Sequence, residues 1–156
     1  MNIYLATDHA GFDHKEQLKI FLDLENKKGH LYKIIDVGAI EKNTEDDYTT
    51  FIHNAMKLLK RDWDMGLESR AIIFGGSGEG EAMIANRYNG VRATVYYGYD
   101  IEIVRLGREH NDANVLAIGA RFVTIDEVKI ATAMFFETPF SNVERHIRRI
   151  SKIDIH

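Results

Sequence analysis

The chain has 156 residues, 45% of them apolar, which suffices for one compact core and argues for a single domain over residues 1–156. Twenty basic against twenty-four acidic residues leave a net charge of −4, an argument against a broad basic face for nucleic acid. No run reaches the roughly 20 apolar residues of a membrane span, and the absence of cysteine excludes disulfides, thiolate catalysis and thiolate-bound metals.

The opening MNIYLATDHAG lacks the basic and apolar pattern of a secretion signal, so a cytoplasmic protein is expected. IYLAT (3–7) reads as the first strand and runs into TDHAG, which puts Asp8 and His9 at a carboxyl edge before a glycine turn. LYKIIDV (31–37) reads as the second strand, and the polar GAIEKNTEDD (38–47) as a surface loop. Over 48–61, Phe51, Ile52, Ala55, Met56 and Leu59 fall on one helical face. AIIFG (71–75), VRATVYY (91–97) and NVLAIG (114–119) read as three further strands. Thr124 and Glu127 form a capping box ahead of a helix whose stripe is Val128, Ala131, Phe135 and Phe136, ended by Pro139. SNVERHIRRISKI (141–153) reads as a terminal amphipathic helix. Alternating strands and helices imply a Rossmann-like three-layer α/β/α sandwich on a five-stranded parallel sheet, with sites at the carboxyl ends of the strands.

The stretch FGGSGEGEAMIA (74–85) follows the third strand, and Gly76, Gly78 and Gly80 give GxGxG. A dinucleotide fingerprint has GxGxxG after the first strand, so a nucleotide-dependent oxidoreductase is disfavoured. Small residues at a strand-to-helix junction still let backbone N–H groups approach an anion, the competing reading being a tight turn in which glycine only relieves crowding. Glu79 and Glu81 in the same loop repel a preformed phosphate. They suit an anion that develops during reaction, with a glutamate as the base; helix-dipole pairing is the competing reading of Glu81. Asp8 and His9 read either as contacts to a sugar hydroxyl or phosphate, or as an N-cap beside an exposed histidine. In REHNDANV (108–115), His110 and Asn111 offer a proton donor and amide contacts, or a plain helix end. Arg145 and Arg149 share a helical face with His146 alongside, a pattern for a phosphate dianion or for a solvated basic face. No spacing such as HExxH indicates a metal site.

Taken in order, TDHAG, DDY, GGSGEGE, HNDAN, IGAR and TPFSNVERHIRRI resemble the ribose-5-phosphate isomerase B family, which includes galactose-6-phosphate isomerase subunits. The resemblance runs from residue 2 to about residue 153. It implies a metal- and cofactor-independent aldose–ketose isomerase that shifts a proton between C1 and C2 of a sugar phosphate through an enediolate, in the pentose phosphate pathway of carbohydrate metabolism. Carried over by position, Asp8 and His9 become substrate contacts and Ser77 the loop hydroxyl. Gly76, Gly78 and Gly80 become the amide donors, and His110, beside Asn111, the ring-opening group. Arg145 and Arg149 become the phosphate ligands, with Arg121 and His146 as further phosphate-side contacts. Many members carry a cysteine base where this chain has Gly75. Another branch uses a glutamate at the position of Glu81, which makes Glu81 the expected base here and Glu79 its substitute. Thr49 stands where proline is common, and the segment KRDWDMGLESR (60–70) has no assigned role. The resemblance further implies a homodimer with shared active sites, the terminal helix reaching the partner. Ribose 5-phosphate is the expected substrate, with a hexose 6-phosphate isomerase or a non-catalytic sugar-phosphate binder as alternatives.

Overall fold

The computed structural model describes residues 1–155. Its strands are β1 (Asn2–Thr7), β2 (Lys33–Asp36), β3 (Ser69–Gly75), β4 (Ala93–Tyr96) and β5 (Val115–Gly119). The helices are α1 (Phe12–Lys27), α2 (Tyr48–Asp64), α3 (Glu79–Ala85), α4 (Glu102–Asn111), α5 (Ile125–Glu137) and α6 (Glu144–Ile150). All pairings are parallel, in the order β2-β1-β3-β5-β4. No helix among the described residues is long and apolar enough to cross a membrane.

Side chains alternate across a pleated strand, and here both faces are covered. Ile3, Leu5, Ile72, Phe74, Leu116 and Ile118 face one way and pack with Leu18 and Leu22 of α1, Val104 of α4, and Val128, Ala131 and Phe135 of α5. Tyr4, Ala6, Ala71, Ile73, Val115 and Ala117 face the other way and meet Ile52, Ala55, Met56 and Leu59 of α2, and Ala82 and Ala85 of α3. Burying each large aliphatic side chain stabilises the fold by about 1.5–3 kcal/mol. The Thr124–Glu127 capping box is formed in both directions. Phe136 is only half-buried, and Thr132 takes a fully buried place in its stripe.

Several elements differ from their sequence patterns, and β2 and β4 are shorter than the apolar runs 31–37 and 91–97. β3 begins at Ser69 because Ser69 and Arg70 pair with Asn2 and Ile3, a backbone register that apolar runs do not reveal. The last helix covers only Glu144–Ile150: Asn142 sits at φ 53°, and the Ser141 hydroxyl bonds the His146 ring instead of continuing a helical turn.

The segment without an assigned role closes α2 and turns into β3. Its Asp62 is buried and accepts from the Tyr4 hydroxyl and the Asn2 amide, each at 2.7 Å. Burial, reinforced by Asp62, pushes the Tyr4 phenol up to about 12. The Trp63 indole donates to the Ser69 carbonyl at 3.2 Å, pinning the helix end to the strand start. Replacing Asp62 by Ala strands the buried Tyr4 hydroxyl, so a stability loss of about 1–3 kcal/mol is expected. Urea denaturation reads it as a lower midpoint; an unchanged midpoint would contradict the assignment.

Candidate active site

β1 lies between β2 and β3, so the chain leaves β1 toward α1 on one face and leaves β3 toward α3 on the other. The divergence opens a crevice at the carboxyl ends of these two strands, the usual ligand position in such sheets. Asp8, His9, Tyr48, Gly76, Ser77, Gly80, Glu81 and Arg121 line a cavity of about 290 Å³ there.

Glu81 is 4% exposed, whereas Glu79 points into solvent. Burial raises the Glu81 carboxyl above the ordinary glutamate value, its own amide opposes, and the neighbouring Asp8 charge adds to the rise. A Cβ at position 75 would lie 1.9–2.3 Å from the Glu81 carboxylate atoms, so the carboxylate occupies the volume a side chain there would need. Gly75 and a buried Glu81 are therefore sterically linked. Gly78, at φ +80°, turns the loop above β5, where a Cβ would meet the Ile118 carbonyl carbon at 3.0 Å. Among the described residues the amides of Ser77 and Gly78 donate to no protein group, and the Ser77 hydroxyl accepts weakly from the Glu79 amide at 3.3 Å. Of these two residues, Ser77 lines the cavity together with Glu81.

Asp8 is buried, and its Oδ1 accepts from the Ala10 amide at 2.9 Å. His9 Nδ1 lies 2.7 Å from Asp46 Oδ1, which also accepts from the His9 amide at 3.2 Å. Asp46 thereby fixes the ring. The segment 38–47 is mostly exposed, as its composition suggests, yet its last turns fold back into the site. Its start is held by Lys15, which is fully buried and donates to both Asp36 oxygens and the Ala39 carbonyl. Asp46 and Tyr48 are site residues that sequence reasoning did not assign, although both belong to the quoted DDY phrase. Asp8, His9 and Asp46 also bring potential metal-ligand atoms within 4.8 Å of one another, although His9 Nδ1 is already engaged by Asp46.

The remaining expected site residues gather elsewhere. None of His110, Asn111, Arg145, His146 and Arg149 lines the crevice. His110 and Asn111 end α4 just ahead of β5, at the amino end of the sheet. The His110 and His146 rings meet at a tilt of 43° with centroids 4.4 Å apart, and Arg145 Nε donates to His146 Nε2 at 3.2 Å. Burial, followed by repulsion from the neighbouring His110, Arg145 and Arg149, lowers the His146 imidazole. Arg145 and Arg149 are exposed. One chain thus presents two halves: a carboxylate crevice at one end of the sheet and a basic His–Arg cluster at the other.

The raised Glu81 value fixes the sign of a stability effect. A folded-state pKa above the unfolded one contributes stability that is complete below the unfolded value and is lost as pH rises through the folded value. At neutral pH the charged carboxylate therefore destabilises the fold, and Glu81→Gln is expected to raise the thermal midpoint there, with the gain shrinking in acid. A midpoint that falls at neutral pH would contradict this placement.

A family model described as Ribose/Galactose Isomerase matches residues 3–153. Ribose-5-phosphate isomerase B of Mycolicibacterium paratuberculosis is 38% identical over 150 residues, covering 96% of this chain and 87% of that one. Its counterpart in Mycobacterium tuberculosis is 34% identical over 151 residues, covering 96% and 86%. Among solved structures, Mycoplasma genitalium ribose-5-phosphate isomerase B with bound ribulose-5-phosphate superposes with a TM-score of 0.87 at 31% identity, covering 97% and 93%. The five-stranded parallel sheet, the carboxylate crevice at its switch point and these matches together show that the chain belongs to the ribose/galactose isomerase family.

Proposed function

We propose that this protein is a sugar-phosphate aldose–ketose isomerase that interconverts ribose 5-phosphate and ribulose 5-phosphate without a metal or cofactor. The observation that carries the reading is the buried Glu81 carboxylate, its pKa raised, on a cavity also lined by Gly76, Ser77 and Gly80 of the glycine loop. A base of raised pKa beside preorganised donors suits proton abstraction next to a carbonyl. Glu81 takes the proton from C2 and delivers one to C1, the carboxyl proton exchanging with solvent in between. The amides of the loop Gly76–Gly80 and the Ser77 hydroxyl stabilise the enediolate between the two transfers. Asp8 assists ring opening with His110, while His9, held by Asp46, and Arg121 place the substrate from the crevice side. The ribulose-5-phosphate bound to the Mycoplasma genitalium relative supports a phosphorylated pentose. A hexose 6-phosphate remains the second reading, because the matching family description names galactose beside ribose.

The two separated halves support a homodimer in which His110, Asn111, Arg145, His146 and Arg149 of one protomer complete the crevice of the other. α6, with its arginines exposed, would carry the phosphate-binding groups across. A cysteine-free enzyme of this kind suits the reducing cytoplasm.

Purified protein incubated with ribose 5-phosphate, allose 6-phosphate or galactose 6-phosphate, with and without a chelator, tests the activity. Chelator-resistant conversion of ribose 5-phosphate is expected, and Glu81→Gln should lower it by ~10²–10⁴. Conversion of none of the three by a folded protein would overturn the reading. Subunit sharing has its own test: mixing inactive Glu81→Gln and inactive His110→Asn protomers under subunit exchange should restore activity, since one crevice then holds both native groups. No recovery despite demonstrated exchange would exclude the shared site.

A further inference from the structure

A second cavity, of about 440 Å³, opens among the amino ends of the strands, at the far end of the sheet from the crevice. Arg70, Arg92 and Arg108 line it, with Trp63, Ser69 and Asn114. Arg108 is 3% exposed; its Nη1 donates to Asp112 Oδ1 at 2.8 Å and its Nε to the Thr138 carbonyl at 3.3 Å. Arg92 Nη2 donates to the other oxygen of the same carboxylate at 2.8 Å. One aspartate is therefore shared by two guanidinium groups. Arg70 is held by carbonyls instead, donating through Nη1 to Phe135 and Phe136 at 2.8 and 3.2 Å. Glu68 Oε1 stands 3.9 Å from Arg70 Nη2, on a side chain that is 72% exposed.

Carbonyls satisfy donors without cancelling charge, so this partly buried cleft holds three cations against one shared carboxylate and one loosely placed one. Burial, followed by the like charge of Arg108, lowers Arg70 from the ordinary guanidinium value. Donors remain: among the described residues Arg70 Nε and Nη2 and Arg108 Nη2 make no hydrogen bond. The Ser69 hydroxyl, on a residue 3% exposed, has no hydrogen-bond partner either. None of these groups serves the reaction described above.

We propose that this cleft binds a small oxyanion, the phosphate or carboxylate group of a metabolite, at a site separate from the sugar-phosphate crevice. Guanidinium forks match both oxyanions, and the volume lies within the roughly 300–1,000 Å³ range of metabolite pockets. The Trp63 indole, fixed by its bond to the Ser69 carbonyl, forms part of the wall.

Trp63 is the one tryptophan of the chain, so its emission reports on this cleft and not on the crevice. The full-length protein is titrated with inorganic phosphate and, separately, with citrate, each against potassium chloride at matched ionic strength. A saturable emission change with either anion is expected, and the responding anion identifies the preferred oxyanion. Arg70→Gln should weaken the response about tenfold by removing a charged donor. Glu68→Gln, at an exposed position with little bearing on folding, should tighten it about threefold by removing a competing charge. No saturable change with either anion would overturn the site, as would a response the same in all three proteins. The sugar-phosphate conversion assay decides the isomerase reading independently.

Discussion

A carboxylate can be kept in a buried layer only if the neighbouring backbone leaves it room. Here that room is the missing side chain of Gly75, whose Cβ would fall within 1.9–2.3 Å of the Glu81 carboxyl atoms. The strand residue lacks a side chain, and the first turn of α3 supplies the acidic group in its place. Burial there makes the carboxylate a better base than one in solvent and makes the fold carry an unfavourable charge at neutral pH. Stability and chemistry thus pull in opposite directions at one residue, as expected where a site is built inside a packed layer.

Around this point the sheet order sets the geometry. β1 and β3 release their chains to opposite faces, so Asp8 and His9 from one strand meet Ser77 and Glu81 from the other without any long loop. The 38–47 segment beside the crevice is held at both ends by polar side-chain contacts. The fully buried Lys15, bonded to the half-buried Asp36, anchors the start of the 38–47 segment, and Asp46 at its end holds His9. Lys15 also pairs with Glu16 at 3.0 Å and Asp36 with Lys19 at 2.6 Å, so the anchor is a small charge network around one fully buried ammonium group.

Much of the architecture was legible because strands covered on both faces read as continuous apolar runs, and IYLAT and NVLAIG do so plainly. Legibility failed where pairing is made by polar residues, as at Ser69 and Arg70, and where a buried Lys15 interrupts the apolar face of α1. Within the site, the glycine loop and the Asp8–His9 pair stand out locally. The Asp46–His9 bond spans 37 residues and depends on how a polar loop folds back, which no local pattern encodes. The separation of Glu81 from Glu79 likewise needed the helix: two positions apart, one faces the cavity and the other solvent.

Deuterium incorporation by nuclear magnetic resonance, during turnover of ribose 5-phosphate in heavy water, tests most directly whether Glu81 moves the proton. The account predicts label on the carbon next to the product carbonyl with the native protein, and neither label nor product above background with Glu81→Gln. Labelled product formed at the native rate by Glu81→Gln would contradict it.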